Sequence, residues 1–310
     1  MSRYHVQRSI QIETTPERVF ETIADFRTWR MWSPWLCAEP EARVDVTDDA
    51  SSVGSLYSWQ GEIVGQGEIE HRELQPGRLI VDEIRFRKPF RSKSEVTFEM
   101  DSHTSGTRLT WQMRGNLPWF LFWMRSQMEV FIGMDYERGL KMIKEWLETG
   151  KIHTETTIRG VESVGPLRMV GVRKRCAIYD VGSSMETAFT ELEAKLHHSG
   201  LSPDGQRMSV YHKFDMRAGT FDYTSGVVVP ESAGAVPDDF SSWSIPAMRA
   251  LRVDHVGSYD HLGNGWSAAH QYARYKKLKQ SRVGTFEVYR NSPDTTAADA
   301  LLTEIYMPLK

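Results

Sequence analysis

Cysteine is scarce. The 310 residues contain two, Cys37 and Cys176, far apart in the chain. That excludes a disulfide-built scaffold and reads as two unpaired thiols in a reducing compartment, so a cytoplasmic location is expected. Long apolar runs are missing too. The longest, Leu117 to Met124, is far short of the ~20 residues a membrane helix needs. Neither a spanning segment nor a membrane partner is expected. The N-terminal MSRYHVQRSIQIE has no apolar core of the kind a signal peptide carries. Charge of one sign is absent: 38 Lys and Arg against 41 Asp and Glu give a net charge of -3. That balance leaves no overall basic footprint for nucleic acid.

Catalytic and cofactor signatures are lacking as well. There is no H-E-x-x-H, no paired C-x-x-C, no G-x-S-x-G and no phosphate-binding loop, so neither a metal nor a nucleotide cofactor is expected. GNGWSA, residues 263 to 268, matches G-x-G-x-x-A. No acidic residue follows about 20 residues on in the required setting, so it reads as helix-entry chemistry. His197 and His198 are adjacent and do not share a helix face.

What is present divides the chain in two. In the first half, VQRSIQIE alternates like a half-buried strand. Thr15 and Pro16 then make a good helix N-cap and first helical residue, followed by Val19, Phe20, Ile23 and Phe26 at helical spacing. RTWRMWSPWL packs three tryptophans into a short stretch. From about Arg43 to Met113, short strands separated by turn signals predict a meandering antiparallel sheet. A long helix is expected from about Pro118 to Glu148, with Met128, Phe131, Ile132, Met142, Ile143 and Trp146 as its apolar stripe. Asp135 falls on that stripe, where a carboxylate must find partners or shift its pKa. The run RFRKPFRSK, Arg85 to Lys93, reads as a solvated hairpin whose edge is protected by charge and proline.

Residues 151 to 166 are polar and threonine-rich and read as a linker or an extended lead-in strand. Two similar strand-helix-strand-strand blocks follow. The first has a strand from Met169 to Ile178, a helix over about 185–198 and strands near 208–214 and 220–229. Ser183 with Glu186 forms a capping box there, and Gly200 a stop. The second has a strand from Met248 to Val256, a helix over about 262–278 and a closing hairpin in Thr285 to Lys310. VVVP at 227 to 230 echoes IYMP at 305 to 308, which marks an internal repeat with a groove between its halves. Aligning the two places Gly226 opposite Glu304, so the groove has no second carboxylate there. Glu304 sits among apolar residues in the last strand and shares a face with Tyr306. A carboxylate held beside aromatic rings suits a cationic or polarised ligand. Tyr211, Trp243, Tyr259, Trp266, Tyr289 and Tyr306 are the available rings.

Two resemblances sharpen this. EVYRNSP with LLTEIYMPL, and VDHVGSYDHLGNGW at 253 to 266, resemble the GyrI-like effector-binding domains. In that family a glutamate of the final strand reaches into an aromatic pocket, and the matching residue here is Glu304. IQIETTPERVFETIADFRTWRMWSPW, GSLYSWQG, GTRLTWQM and IGMDYERGLKMIKEWLE resemble the START-like superfamily, in its polyketide-cyclase branch. That resemblance implies a curved sheet gripping a long helix over an apolar cavity, with Trp59, Trp111 and Asp135 as cavity candidates. The expected architecture is therefore α+β, with a START-like domain at 1–150, a linker at 151–166 and a GyrI-like domain at 167–310. The expected function is binding of small apolar or cationic molecules in two cavities, for sensing or sequestration. Two alternatives follow from the resemblance. One is hydrolysis of an electrophile with Glu304 as general base and Tyr259 or Tyr211 orienting the ligand. The other is a protein-interaction role like that of a gyrase inhibitor.

Overall fold

The computed structural model describes residues 2–117, 123–199, 205–216, 218–230 and 238–310. They form two compact units, 1–152 and 153–310.

The first unit opens with β1 (Ser2–Ile12) and α1 (Pro16–Ala24). The Thr15 hydroxyl accepts from the Arg18 amide, the N-cap that the sequence predicts. A short helix α2 (Trp29–Trp32) follows. Then come β2 (Arg43–Val46), β3 (Leu56–Gln60), β4 (Gln66–Gln75), β5 (Leu79–Lys88), β6 (Ser92–His103) and β7 (Gly106–Leu117). They make one antiparallel sheet in the order β1-β7-β6-β5-β4-β3-β2, the meander expected from the turn spacing. The long helix α3 (Arg125–Thr149) lies against β1 and β7. Its expected start at Pro118 lies outside the described residues.

The space between helix and sheet is packed with rings. Trp111 of β7 stacks on Tyr136 of α3 with centroids 4.1 Å apart, and Phe98, Trp29, Trp32, Phe26 and Tyr57 continue the cluster. One His–Asp pair is sealed within this core. The His71 Nδ1 lies 2.6 Å from Asp82 Oδ1, and its Nε2 lies 2.9 Å from the Ala24 carbonyl oxygen. Both side chains are fully buried. A carbonyl can only accept, so Nε2 carries a proton, and a second proton bridges Nδ1 and the carboxyl. Burial pushes the Asp82 pKa up and the His71 hydrogen bond opposes it. The pair ties β4 and β5 to the end of α1.

The second unit begins earlier than expected. Of the two readings of residues 151–166, the extended lead-in strand is the one that forms: β8 (Thr154–Val164) is an edge strand paired with β13 (Met248–Gly257). Its alternating threonines and valine supply the β-propensity that its polarity disguised. β9 (Leu167–Ala177) leads to α4 (Val181–Ser199), β10 (Arg207–Asp215) and β11 (Thr220–Val229). α4 starts at Val181, so Ser183 is not its N-cap; its hydroxyl donates to the Asp180 carbonyl. The expected stop at Gly200 lies outside the described residues. β12 (Ser241–Ile245) adds an outer strand beside β9. α5 (Leu262–Tyr275), β14 (Thr285–Tyr289) and β15 (Leu302–Pro308) complete the chain.

The sheet order, β12-β9-β11-β10-β14-β15-β13-β8, exposes the repeat. β9-β11-β10 mirrors β13-β15-β14, with β10 and β14 meeting at the centre. α4 packs on β9 and β11, and α5 on β13, β15 and β8. The GNGW motif finds its physical reason here. A Cβ on Gly265 would come within 2.5 Å of the Ile305 side chain, so glycine lets α5 lie directly on β15.

Replacing His71 by alanine strands a buried carboxyl. H71A is expected to cost about 3–5 kcal/mol in a denaturant titration. D82N should cost only about 1 kcal/mol, because a neutral His71 can accept from the amide. Equal losses would contradict the pairing.

Candidate functional site

Neither helix rests on the two central strands of the second sheet, which leaves β10 and β14 as the floor of a groove between α4 and α5. Strand alternation decides what that floor displays. On β14, Phe286 and Val288 join the apolar cluster of the opposite face with Met208, Val210 and Tyr306. Glu287 and Tyr289 therefore face the helices.

Glu287 is fully buried. Its Oε1 accepts from the Tyr211 hydroxyl at 3.0 Å and from the indole N–H of Trp266. Its Oε2 accepts from the Tyr289 hydroxyl at 2.6 Å. The donors come from β10, α5 and β14, so the carboxylate joins both halves of the repeat. Directly across from it on β10 is Ser209, bonded at 2.7 Å to Ser225. The groove thus has no second carboxylate at the symmetry-related place. Around this centre the rings close into a cup. Tyr211 meets Trp266 edge-on at 5.4 Å, and Phe221 and Tyr223 flank Tyr211. Tyr289 is met edge-on by Phe189 of α4 and by Tyr259, both at 5.7 Å. Tyr259 is the most exposed of these and forms the rim, at 39% exposure. Beside the cup, a surface hollow of about 410 Å³ is lined by Gly205, Gln206, Arg207, Tyr289, Asn291 and Ser292.

The electrostatics follow from burial. Desolvation pushes the Glu287 pKa above the usual carboxylate range, against the pull of its three hydrogen bonds. Burial, with Glu287 as the next cause, raises Tyr289 and Tyr211 well above the usual phenol value, and Tyr259 to about 12. The three tyrosines stay protonated, and Tyr211 and Tyr289 donate to Glu287. All three partners of Glu287 are neutral groups.

Glu304, the carboxylate the sequence singled out, lies on the other face of the sheet. In the β14–β15 ladder, Glu287 pairs with Ile305, so Ile305 faces α5 and Glu304 faces away from it. There Arg252 donates to Oε1 at 2.7 Å, Arg290 to Oε2 at 2.6 Å and the Tyr306 hydroxyl to Oε2 at 2.9 Å. Arg252 also binds Asp254. Glu304 is thus paired internally with two arginines, on the face opposite Glu287. Of the six candidate rings, Tyr211, Tyr259, Trp266 and Tyr289 converge on the cup. Trp243 and Tyr306 instead pack on Phe286 on the Glu304 face. Glu287, Phe189, Phe221 and Tyr223 were not anticipated. The signal for Glu287 was the alternation within FEVY, which sets it on one face with Tyr289.

In the first unit, Trp111 and Asp135 are joined through Trp35, which meets Trp111 edge-on at 5.7 Å and donates to Asp135 at 3.1 Å. Arg138 also binds Asp135, at 2.6 Å. Trp59 is elsewhere, against Phe86 and Gly67, on a polar hollow of about 250 Å³ bordered by Arg43, Gln60 and Glu68. Those three candidates do not form one site. Among the described residues, no cluster of three or more His, Cys, Asp or Glu side chains could hold a metal, and no helix is long and apolar enough to cross a membrane.

Comparison with known proteins finds a family for each half of the chain. Residues 161–310 match the model of the GyrI-like small molecule binding domain, and residues 3–148 match that of polyketide cyclase / dehydrase and lipid transport. Protein CV1439 of Chromobacterium violaceum is 18% identical, over 47% of this chain and 98% of that one, with a TM-score of 0.36. Protein MLL2253 of Mesorhizobium loti is 16% identical, over 48% and 99%, with a TM-score of 0.38. The cryo-EM structure of an EcmrR–DNA complex is 15% identical, over 63% and 73%, with a TM-score of 0.42. No curated protein matches. The chain is thus a fusion of two families, a polyketide cyclase and lipid transport type domain followed by a GyrI-like small-molecule-binding domain.

Proposed function

We propose that the second domain captures lipophilic cations in the aromatic cup, with Glu287 as the countercharge, in a sensing or sequestration role. The observation that supports this is the contrast between two buried glutamates. Glu304 has two arginines against it. Glu287 has only neutral donors. Burying a carboxylate carries an effective cost of several kcal/mol. Hydrogen bonds to a charged group return about 1.5–3 kcal/mol each, which keeps Glu287 in place but with a raised pKa. A bound cation supplies the missing opposite charge, and each ring face adds roughly 0.5–2 kcal/mol.

A second reading rests on the same raised pKa. A carboxylate that titrates closer to neutrality, beside tyrosine hydroxyls, is equipped as a general base toward an electrophile held in the cup. Tyr211 or Tyr259 would orient such a ligand. Turnover of an electrophile distinguishes this from simple binding.

The pH dependence has a definite sign. Below its raised pKa Glu287 is neutral and offers a cation nothing, so affinity for a tetraphenylphosphonium-type probe should fall as pH drops. The fall should set in above the ordinary carboxylate range and approach tenfold per pH unit. E287Q is expected to weaken the probe by at least about tenfold and to flatten this pH profile. A wild-type profile flat down to the ordinary carboxylate range would overturn the proposal. E304A should act differently. It leaves Arg252 and Arg290 short of a partner, so it should cost about 2 kcal/mol of stability, discounted for their exposure. Probe affinity in the folded E304A protein should change less than about threefold.

A further inference from the structure

A different part of the chain carries a feature that the cup does not use. At the tip of the β5–β6 hairpin, Arg87, Lys88, Pro89, Phe90, Arg91, Ser92 and Lys93 are all exposed. Phe90 is 81% exposed, the highest among the large apolar side chains described. The tip contains four cations and no acid. Around it, Glu68, Glu70 and Glu83 take Arg72, Arg85, Arg87 and Lys93. Lys88 and Arg91 of the tip add two further cations, and Glu95 stands across from Glu83 on β6.

The tip is not isolated. β6 leaves it antiparallel to β7, with Ser94 opposite Gly115, and β7 ends two residues on at Leu117. α3 starts at the same end of the sheet, where Glu129 accepts from the amide of His5, the residue opposite Arg114 of β7. Trp123, Met124 and Phe131 there are 64%, 36% and 48% exposed, with Arg125 beside them, paired to Glu129. The β3–β4 turn reaches this end too: a Cβ on Gly65 would lie 2.6 Å from the Lys88 carbonyl oxygen. The half-buried Ile63 and Val64 precede Gly65 in this turn. Glu39 holds the turn rigid by accepting from the amides of Glu62, Ile63 and Val64 at 2.8, 2.8 and 3.0 Å.

We infer that this end of the first domain is a docking surface for an anionic lipid membrane. Aromatic and aliphatic side chains with interspersed Lys and Arg fit the interface between headgroups and acyl chains. An exposed Phe on a basic hairpin tip serves no packing purpose in water. The four cations of the tip favour an anionic surface over a neutral one. The net charge of -3 does not reveal so short a basic run.

The test is co-sedimentation of the full chain with vesicles of phosphatidylcholine alone or with about 30% phosphatidylserine. Binding should require phosphatidylserine and weaken as salt rises. F90S and K88E/R91E should each lower the partition coefficient about tenfold or more. Their side chains are exposed, so thermal unfolding should not move, and that control separates docking from misfolding. Absence of phosphatidylserine-dependent binding would overturn the inference. So would variants that partition like wild type, or a tip whose loss weakens duplex DNA binding and leaves vesicles unaffected.

Discussion

A carboxylate buried without a countercharge is the constraint on which the second domain depends. Glu287 stays in place because three donors from three elements converge on it: Tyr211 on β10, Trp266 on α5 and Tyr289 on its own strand. Remove that convergence and the charge has no reason to remain inside. The duplicated architecture supplies it. Each half of the repeat covers its outer strands with one helix and leaves its central strand bare. The bare strands meet, and the polar groups of the cup fall on their shared floor. A single strand-helix-strand-strand unit would expose that floor to water, where a carboxylate has no need of a ligand.

The sheet separates two kinds of buried charge, one on each face. Behind Glu287, the Glu304 face closes its charges with arginines and is self-sufficient. The cup leaves its charge open. Two buried glutamates thus stand one strand apart, one held by arginines and the other by neutral donors only. The first domain repeats the structural case in its core, where His71 and Asp82 share a proton and bind α1 to the sheet.

Much of the fold was legible because it rests on local signals. The cap at Thr15, the turn-spaced strands of the first sheet and the VVVP–IYMP echo each lie within a short window of sequence. The extended segment from Thr154 to Val164 was ambiguous because an edge strand needs only one apolar face and can look like a linker. The site was less legible. Glu287 and Glu304 both sit in apolar strands, and local pattern does not distinguish them. What separates them is register: Arg252 lies opposite Tyr306, and Arg290 closes from the hairpin. Those are pairings across roughly fifty and fourteen residues, fixed by tertiary packing. The cup's rings were half anticipated for the same reason. Their types were visible, but the face each one takes depends on strand pairing.

The most direct test is the protonation of Glu287 itself. Carboxyl carbon NMR of the labelled protein, titrated with and without a lipophilic cation, reads it without relying on a substitution. The account predicts a Glu287 pKa above the ordinary carboxylate range in the free protein, lowered when the cation is bound. An ordinary value that the cation does not move would contradict it.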